Sequence, residues 1–257
     1  MEEAVTIRDD LGHRISAVLS SPAQSRGIVV LCHGFLSHKH STTNKTLTRL
    51  LNERDFATFR FDFFGHGESD GRFEDITVSL ALSQAKAAVD FVASLGHGPI
   101  GLVGSSFGGL AAILTAADRP MISCLGLKCP VVDFAEELRL EFGVEELARW
   151  KDTDTVPDIH GGPNRIRLNY RLYEDSLQRV AYEPAARITA PTLIVQGDRD
   201  ELVPLHQSRR LVEALQGPKR LDLLPGADHQ FSKGEDFLTM TTAIADWSIL
   251  HLGPPRV

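Results

Sequence analysis

The segment Gly104-Ser105-Ser106-Phe107-Gly108 fits the pattern G-x-S-x-G. It follows the apolar run Ile100 to Val103 and precedes a helical pattern that begins at Phe107. In that strand–turn–helix setting the pattern selects Ser106, rather than Ser105, as a serine on a sharp turn, with small flanking residues that let the backbone make it. Such a turn exposes Oγ at the end of a sheet. It also aims the N–H groups of the helix start at a developing negative charge. Taken without its setting, the motif would fit an inert glycine-rich turn equally well.

A serine hydroxyl is a weak nucleophile at neutral pH unless a base takes its proton. On turns of this kind the partners follow in the chain order Ser, acid, His. Of the 10 histidines, His229 lies in Leu224-Pro225-Gly226-Ala227-Asp228-His229-Gln230-Phe231, after the strand-like run Lys219 to Leu223 and before the last helical pattern. His160, His206 and His251 also follow Ser106 and are read as solvated surface residues. The acid should come from Gly197-Asp198-Arg199-Asp200-Glu201, directly after the apolar run Thr192 to Gln196. Three carboxylates compete there. Asp198 adjoins Gly197 and could close the turn on its own backbone, so Asp200 is preferred to orient the imidazole. An oxyanion would rest on two backbone N–H groups. One is that of Phe107, next to the serine. The other is that of Phe35 in His33-Gly34-Phe35-Leu36, whose His33 is expected to order the loop.

The elements that must position these groups alternate in type. Apolar runs suited to buried strands are Ile28 to Cys32, Ala57 to Phe61, Ile100 to Val103, Ile122 to Leu127 and Thr192 to Gln196. Between them lie helical patterns over Ser41 to Arg54, Asp75 to Leu95, Phe107 to Ala117, His206 to Leu215 and Glu235 to Leu250. This rhythm predicts an α/β fold: a mostly parallel, doubly wound sheet with helices on both faces. Val5 to Ile7 and Arg14 to Leu19, around a turn at Asp10-Leu11-Gly12, predict an antiparallel hairpin at one edge.

From Phe134 to Arg179 no strand-like run occurs. A structureless loop of that length is foreign to a compact core, so this segment predicts a small helical cap. The expected division is a core over residues 1–133 and 180–257 and an insertion over 134–179. Ligands bind at the carboxyl ends of the strands in open α/β sheets. Phe134, Leu138, Trp150 and Tyr170 of the insertion, with Val203 of the acidic loop, are therefore the candidate substrate-binding residues. Arg165, Arg167, Arg171 and Arg179 are expected to solvate helix faces and pair with Glu174 and Asp175. His38-Lys39-His40 lacks a third ligand nearby and reads as a solvated loop rather than a metal site.

A chain of 257 residues suits one domain with a small appendage. Hydrophobic residues at 42% and charged residues at 24% exclude disordered and fibrous classes. The formal net charge of -7 argues against nucleic acid or an anionic membrane as partner. The apolar runs read as too short to span a bilayer. The acidic start Met1-Glu2-Glu3 is unlike a secretory signal. Cys32, Cys124 and Cys129 cannot all pair with one another and hold no zinc spacing. They read as buried thiols in a reducing compartment, which with the rest predicts a cytoplasmic protein. An oligomeric state is not encoded in any motif, and a homo-oligomer is compatible with the sequence.

Across nearly its whole length the chain resembles the α/β-hydrolases, in His33-Gly34-Phe35, Gly104 to Gly108, Gly197 to Pro204 and Gly226 to His229. Asp62-Phe63-Phe64-Gly65-His66-Gly67-Glu68-Ser69-Asp70-Gly71 and Phe73-Glu74-Asp75, with Gly226-Ala227-Asp228-His229 and Phe231-Ser232, look like the feruloyl/cinnamoyl esterase branch. The resemblance implies a serine esterase for small to medium acyl esters, aromatic ones among them, with Ser106, His229 and Asp200 as its triad and no metal or organic cofactor. Amide, peptide or carbon–carbon bond hydrolysis and acyl transfer use the same groups, and some relatives of such folds only bind ligands.

Overall fold

The structure is a computed structural model that describes residues 1–159 and 162–253. His160 lies outside the described residues.

The apolar runs form a sheet because they are buried on both faces. In β3 (Ile28–Cys32), Ile28, Val30 and Cys32 enter one hydrophobic cluster while Val29 and Leu31 enter the other. Each side chain alternates across the pleat, so both faces need a cover of helices. One face is covered by α2 (Val78–Leu95) and α3 (Phe107–Asp118), the other by α1 (Thr42–Asn52) and α8 (Gly234–Leu252). Thr77 caps α2 through the Leu80 N–H, and Gly96 ends it in the left-handed conformation. By length and composition alone α2 could cross a membrane; here its residues Ala81, Ala85, Ala88, Val89 and Val92 lie in the core.

The remaining strands are β4 (Ala57–Phe61), β5 (Ile100–Ser105), β6 (Ile122–Lys128), β9 (Thr192–Gly197) and β10 (Lys219–Leu224), with β1 (Glu2–Arg8) and β2 (Arg14–Ser20) as the N-terminal hairpin. The eight-stranded order is β1-β2-β4-β3-β5-β6-β9-β10. All pairings are parallel except β1 with β2 and β2 with β4. The chain runs outward from β3 to β4, then returns to the other side of β3 as β5. That reversal opens a crevice at the carboxyl ends of β3 and β5. Cys32 pairs with Gly104, so the loops after these two strands emerge side by side.

The segment between β6 and β9 differs from the all-helical expectation. It contains α4 (Phe134–Thr153), bent at Gly143, and α5 (Arg171–Ser176). It also contains a two-stranded antiparallel ribbon of β7 (Thr155–Pro157) and β8 (Arg165–Arg167). Three-residue strands leave no readable alternation in sequence. α6 (Tyr182–Ala185) follows, and its neighbour Ala181 donates its N–H to the Val132 carbonyl at 2.9 Å, so the segment leaves and rejoins the core at one place. The buried Gln207 of α7 (Leu205–Ala214) fixes that junction. Its Oε1 accepts from the Val132 and Asp133 N–H groups, and its Nε2 donates to the Asp133 carbonyl and to Glu136.

Two further expectations are corrected. Lys39 is buried rather than solvated, because Asp62 is buried and needs a counter-charge: Lys39 Nζ lies 2.5 Å from Asp62 and 2.6 Å from Glu68. His38 and His40 on either side are exposed. Nor, among the described residues, do the insertion arginines pair with Glu174 and Asp175. Arg165 meets Glu146, Arg167 approaches Glu74 and Arg179 donates to Ser79, whose N–H and hydroxyl have already taken Asp175.

Candidate active site

Ser106 occupies the tight turn between β5 and α3 with φ 52° and ψ −119°. A non-glycine residue there is strained by about 1–3 kcal/mol, so the surroundings must hold it. They do so by close approach. A Cβ at Gly104 would stand 2.4 Å from the Gly108 carbonyl oxygen, and one at Gly108 would stand 2.2 Å from that of His33. Only glycines allow the turn to close on itself and on the neighbouring loop. The Ser106 N–H donates to the Lys128 carbonyl at 2.9 Å.

The loop after β3 is set by His33. Its Nε2 accepts from the Phe63 N–H at 3.0 Å, so its Nδ1 carries hydrogen and donates to the Gly34 carbonyl at 2.8 Å. Burial, with His66 nearby, pushes its pKa down to about 3, which keeps the ring neutral in this double role. Gly34 faces Ser106 so closely that a Cβ there would lie 3.5 Å from the Ser106 Cβ. Phe107 opens α3, and the first N–H groups of a helix have no intrahelical partner. Among the described residues, neither the Phe35 nor the Phe107 N–H is used in a hydrogen bond.

Beyond β6, the loops after β9 and β10 bring Asp200 to His229. The Asp200 Oδ1 and Oδ2 lie 2.9 and 3.0 Å from His229 Nδ1. Asp200 also accepts from the Leu202 and Val203 N–H groups and from Gln196 Nε2. Burial raises the Asp200 pKa, but the His229 contact and the Val203 N–H outweigh it and hold the carboxyl below its usual range. An acceptor-only carboxylate on Nδ1 fixes the imidazole hydrogen there and leaves Nε2 free to take a proton. The competing carboxylates have other work. Asp198 is exposed and accepts from the Gly226 N–H at 2.6 Å; Glu201 accepts from the His229 N–H at 3.1 Å. Sequence reasoning missed Lys128, whose buried Nζ donates to the His229 carbonyl at 2.8 Å. The available signal was a lysine ending an otherwise apolar strand.

Ser106, His229 and Phe35 line one cavity of about 640 Å³. Of the expected substrate-binding residues, Phe134 and Leu138 of α4 line it too. Trp150, Tyr170 and Val203 do not. Trp150 is fully buried, donates from Nε1 to the Leu168 carbonyl and packs on Phe142 and Tyr170. A small insertion needs its own core, and its largest aromatics form it. Val203 is fully buried, with its N–H on Asp200 and its carbonyl on Gln196. Of the other histidines, His206 is exposed and pairs with Glu136. His251 is half-buried on the Trp247 ring instead of solvated, and burial lowers its pKa. The three cysteines are free and buried.

The doubly wound sheet, the switch-point crevice and the turn at Ser106 define the α/β-hydrolase fold. A family model described as the alpha/beta hydrolase family matches residues 29–238, and the chain belongs to that family. Est1E from Butyrivibrio proteoclasticus, solved with ferulic acid bound, is 27% identical with a TM-score of 0.84, over 97% of this chain and 99% of that one. This places the chain close to the feruloyl esterase branch. The mitochondrial palmitoyl-protein thioesterase ABHD10 of Bos taurus is 23% identical over 227 residues, 87% of this chain and 73% of that protein. Rv0571c of Mycobacterium tuberculosis, provisionally named a phosphoribosyl transferase, is 27% identical over 244 residues, 94% of this chain. The chain spans only 45% of the length of that relative.

Proposed function

We propose that the chain is a serine carboxylic-ester hydrolase for small to medium acyl esters, hydroxycinnamoyl-type esters among them. The observation that carries this reading is the pairing of His229 Nδ1 with Asp200, which leaves Nε2 free in the cavity shared with Ser106. The likeness to Est1E, a protein solved with ferulic acid, supports the aromatic acyl class.

Ser106 Oγ attacks the ester carbonyl carbon as His229 Nε2 takes its proton. The carbonyl oxygen becomes an oxyanion held by the Phe35 and Phe107 N–H groups, each worth roughly 3–4 kcal/mol in the transition state. Asp200 stabilises the imidazolium that forms. The oxyanion collapses, the C–O bond to the alcohol breaks, and His229 returns its proton to the leaving oxygen. Water, deprotonated by the same Nε2, then attacks the acyl-serine. The acid leaves and Ser106 regains its hydrogen. Thioesters fit the same steps with sulfur as the leaving atom.

Ser106→Ala should keep the fold and lose turnover of a p-nitrophenyl acyl ester by about 10⁴-fold or more. A fluorophosphonate should label the native chain and not this variant. Native turnover in Ser106→Ala would refute the assignment.

A further inference from the structure

The cavity contains groups that the acyl-transfer steps do not use. Glu137 and Glu141 lie one turn apart on α4, and both line the cavity. Glu141 is exposed, whereas Glu137 is only 9% exposed. Among the described residues, no hydrogen bond or ion pair reaches the Glu137 carboxyl, and its Oε2 is buried without a partner. A buried carboxyl with no partner is among the costliest groups a protein can hold. Burial, with Glu141 and Asp200 as neighbours, drives it well towards the protonated form. A second polar group is similarly placed. Asn44, at the start of α1, is 3% exposed, lines the same cavity and has an unpartnered Nδ2.

The surroundings narrow what could complete these groups. Lys128 also lines the cavity and donates to the His229 carbonyl; its charge disfavours a cation beside β6, which leaves the α4 side, with Glu137 and Glu141, as the place for one. Phe35, Phe134, Phe231 and Phe237 contribute aromatic walls. Aromatic faces attract cations, and two carboxyls disfavour an anion. A cation entering beside Glu137 favours its ionised form, so the carboxyl that is protonated alone becomes a counter-charge when such a ligand is bound; a neutral hydroxyl brings no such gain. A ligand with a cationic group for Glu137 and a polar oxygen for Asn44 supplies a counter-charge to the one and a hydrogen-bond acceptor to the other.

The geometry points to selection of esters or thioesters whose acyl or alcohol part carries an ammonium group, with Glu137 and Glu141 as specificity-determining residues against the cavity aromatics. This rests on Ser106 being the nucleophile. Two matched substrate pairs test it on the full chain. The first is p-nitrophenyl 4-(trimethylammonio)butyrate against p-nitrophenyl 5,5-dimethylhexanoate, its carbon isostere. The second is butyrylthiocholine against S-(3,3-dimethylbutyl) thiobutyrate, read by thiol release. Each kcat/KM is divided by the alkaline hydrolysis rate of that substrate.

At least one pair should favour the cation on the order of tenfold, and the preference should fall several-fold in Glu137→Gln/Glu141→Gln, which removes the carboxylates and keeps the aromatic walls. Because each ratio compares two substrates on one protein, a general loss of rate in the variant cancels. Ratios near one in both pairs, or a preference undiminished in the variant, overturn the proposal. Turnover of the neutral esters with no cation preference defeats this proposal alone. No turnover of any of the four, together with no fluorophosphonate label on Ser106, defeats it together with the esterase reading.

Discussion

The two walls of the cavity are built on opposite terms. At the sheet end, the polar groups around the imidazole are tied down. Asp200 is held by His229, two backbone N–H groups and Gln196, and the His229 backbone is held by Glu201 and Lys128. On α4, Glu137 has no partner at all among the described residues. A wall whose carboxylate and imidazole are held by several internal hydrogen bonds is rigid and suits one geometry, even though the buried Gln196 Oε1 there has no partner among the described residues. A wall with an unsatisfied buried group is incomplete until something enters, as selection requires. Under the proposed function, reaction belongs to the sheet end and choice of substrate to the insertion.

The strongest way to break this comparison is at the acid. Asp200→Asn should lower kcat by about 10³–10⁴-fold by giving His229 the wrong tautomer. Asp198→Asn, whose side chain accepts from the Gly226 N–H and, among the described residues, makes no hydrogen bond to His229, should stay within a few-fold of the native rate. Parallel kinetics on one ester decide it, and a greater loss at Asp198 would reverse the assignment.

A middle-sized effect is expected at Lys128. Lys128→Met keeps a long side chain but leaves the His229 carbonyl without its ammonium. Small displacements of a catalytic group cost up to about 100-fold. The variant should therefore lose roughly 10- to 100-fold in kcat with KM little changed. An unaltered kcat would mean that the sheet-end wall is looser than its hydrogen bonds imply.

The smallest effect sharpens the other wall. The folded chain holds the Glu137 proton more tightly than the unfolded chain does, because the folded carboxyl sits well above its usual value of 4.5. The resulting stabilisation is complete below that usual value and is lost as pH rises through the folded one. Glu137→Gln does not ionise. Without ligand, its Tm should be closest to the native Tm at acid pH and exceed it increasingly towards alkaline pH, by about 2–4 °C for each kcal/mol. Thermal melts from pH 5 to pH 9 measure this. A gap that stays constant or narrows would show that Glu137 is solvated or paired.

Much of the sheet-end wall could be read from local sequence. Ser106, Phe35, Asp200 and His229 each lie within a few residues of a strand end, and strand ends announce themselves by apolar runs that stop at glycine-rich turns. The α4 wall could not be read in that way. Phe134, Leu138 and Trp150 share an aromatic or aliphatic character, yet two face the cavity and one fills the core of the insertion. The bend at Gly143 turns the second half of the helix to a different neighbour. Lys39 was unreadable for a related reason: its partner Asp62 is 23 residues away and on another loop.

By itself, the sequence determined the strand–helix rhythm, the strained serine turn and the order of the candidate catalytic groups, because these depend on periodicity and on residues adjacent in the chain. The tertiary structure decided which of three neighbouring carboxylates meets the His229 imidazole, 29 residues from Asp200, and which groups α4 presents to the cavity. It also decided that Glu137 would be left without a partner. Those outcomes depend on distances between segments that only packing brings together, and the cost of a buried charge exists only once water has been excluded.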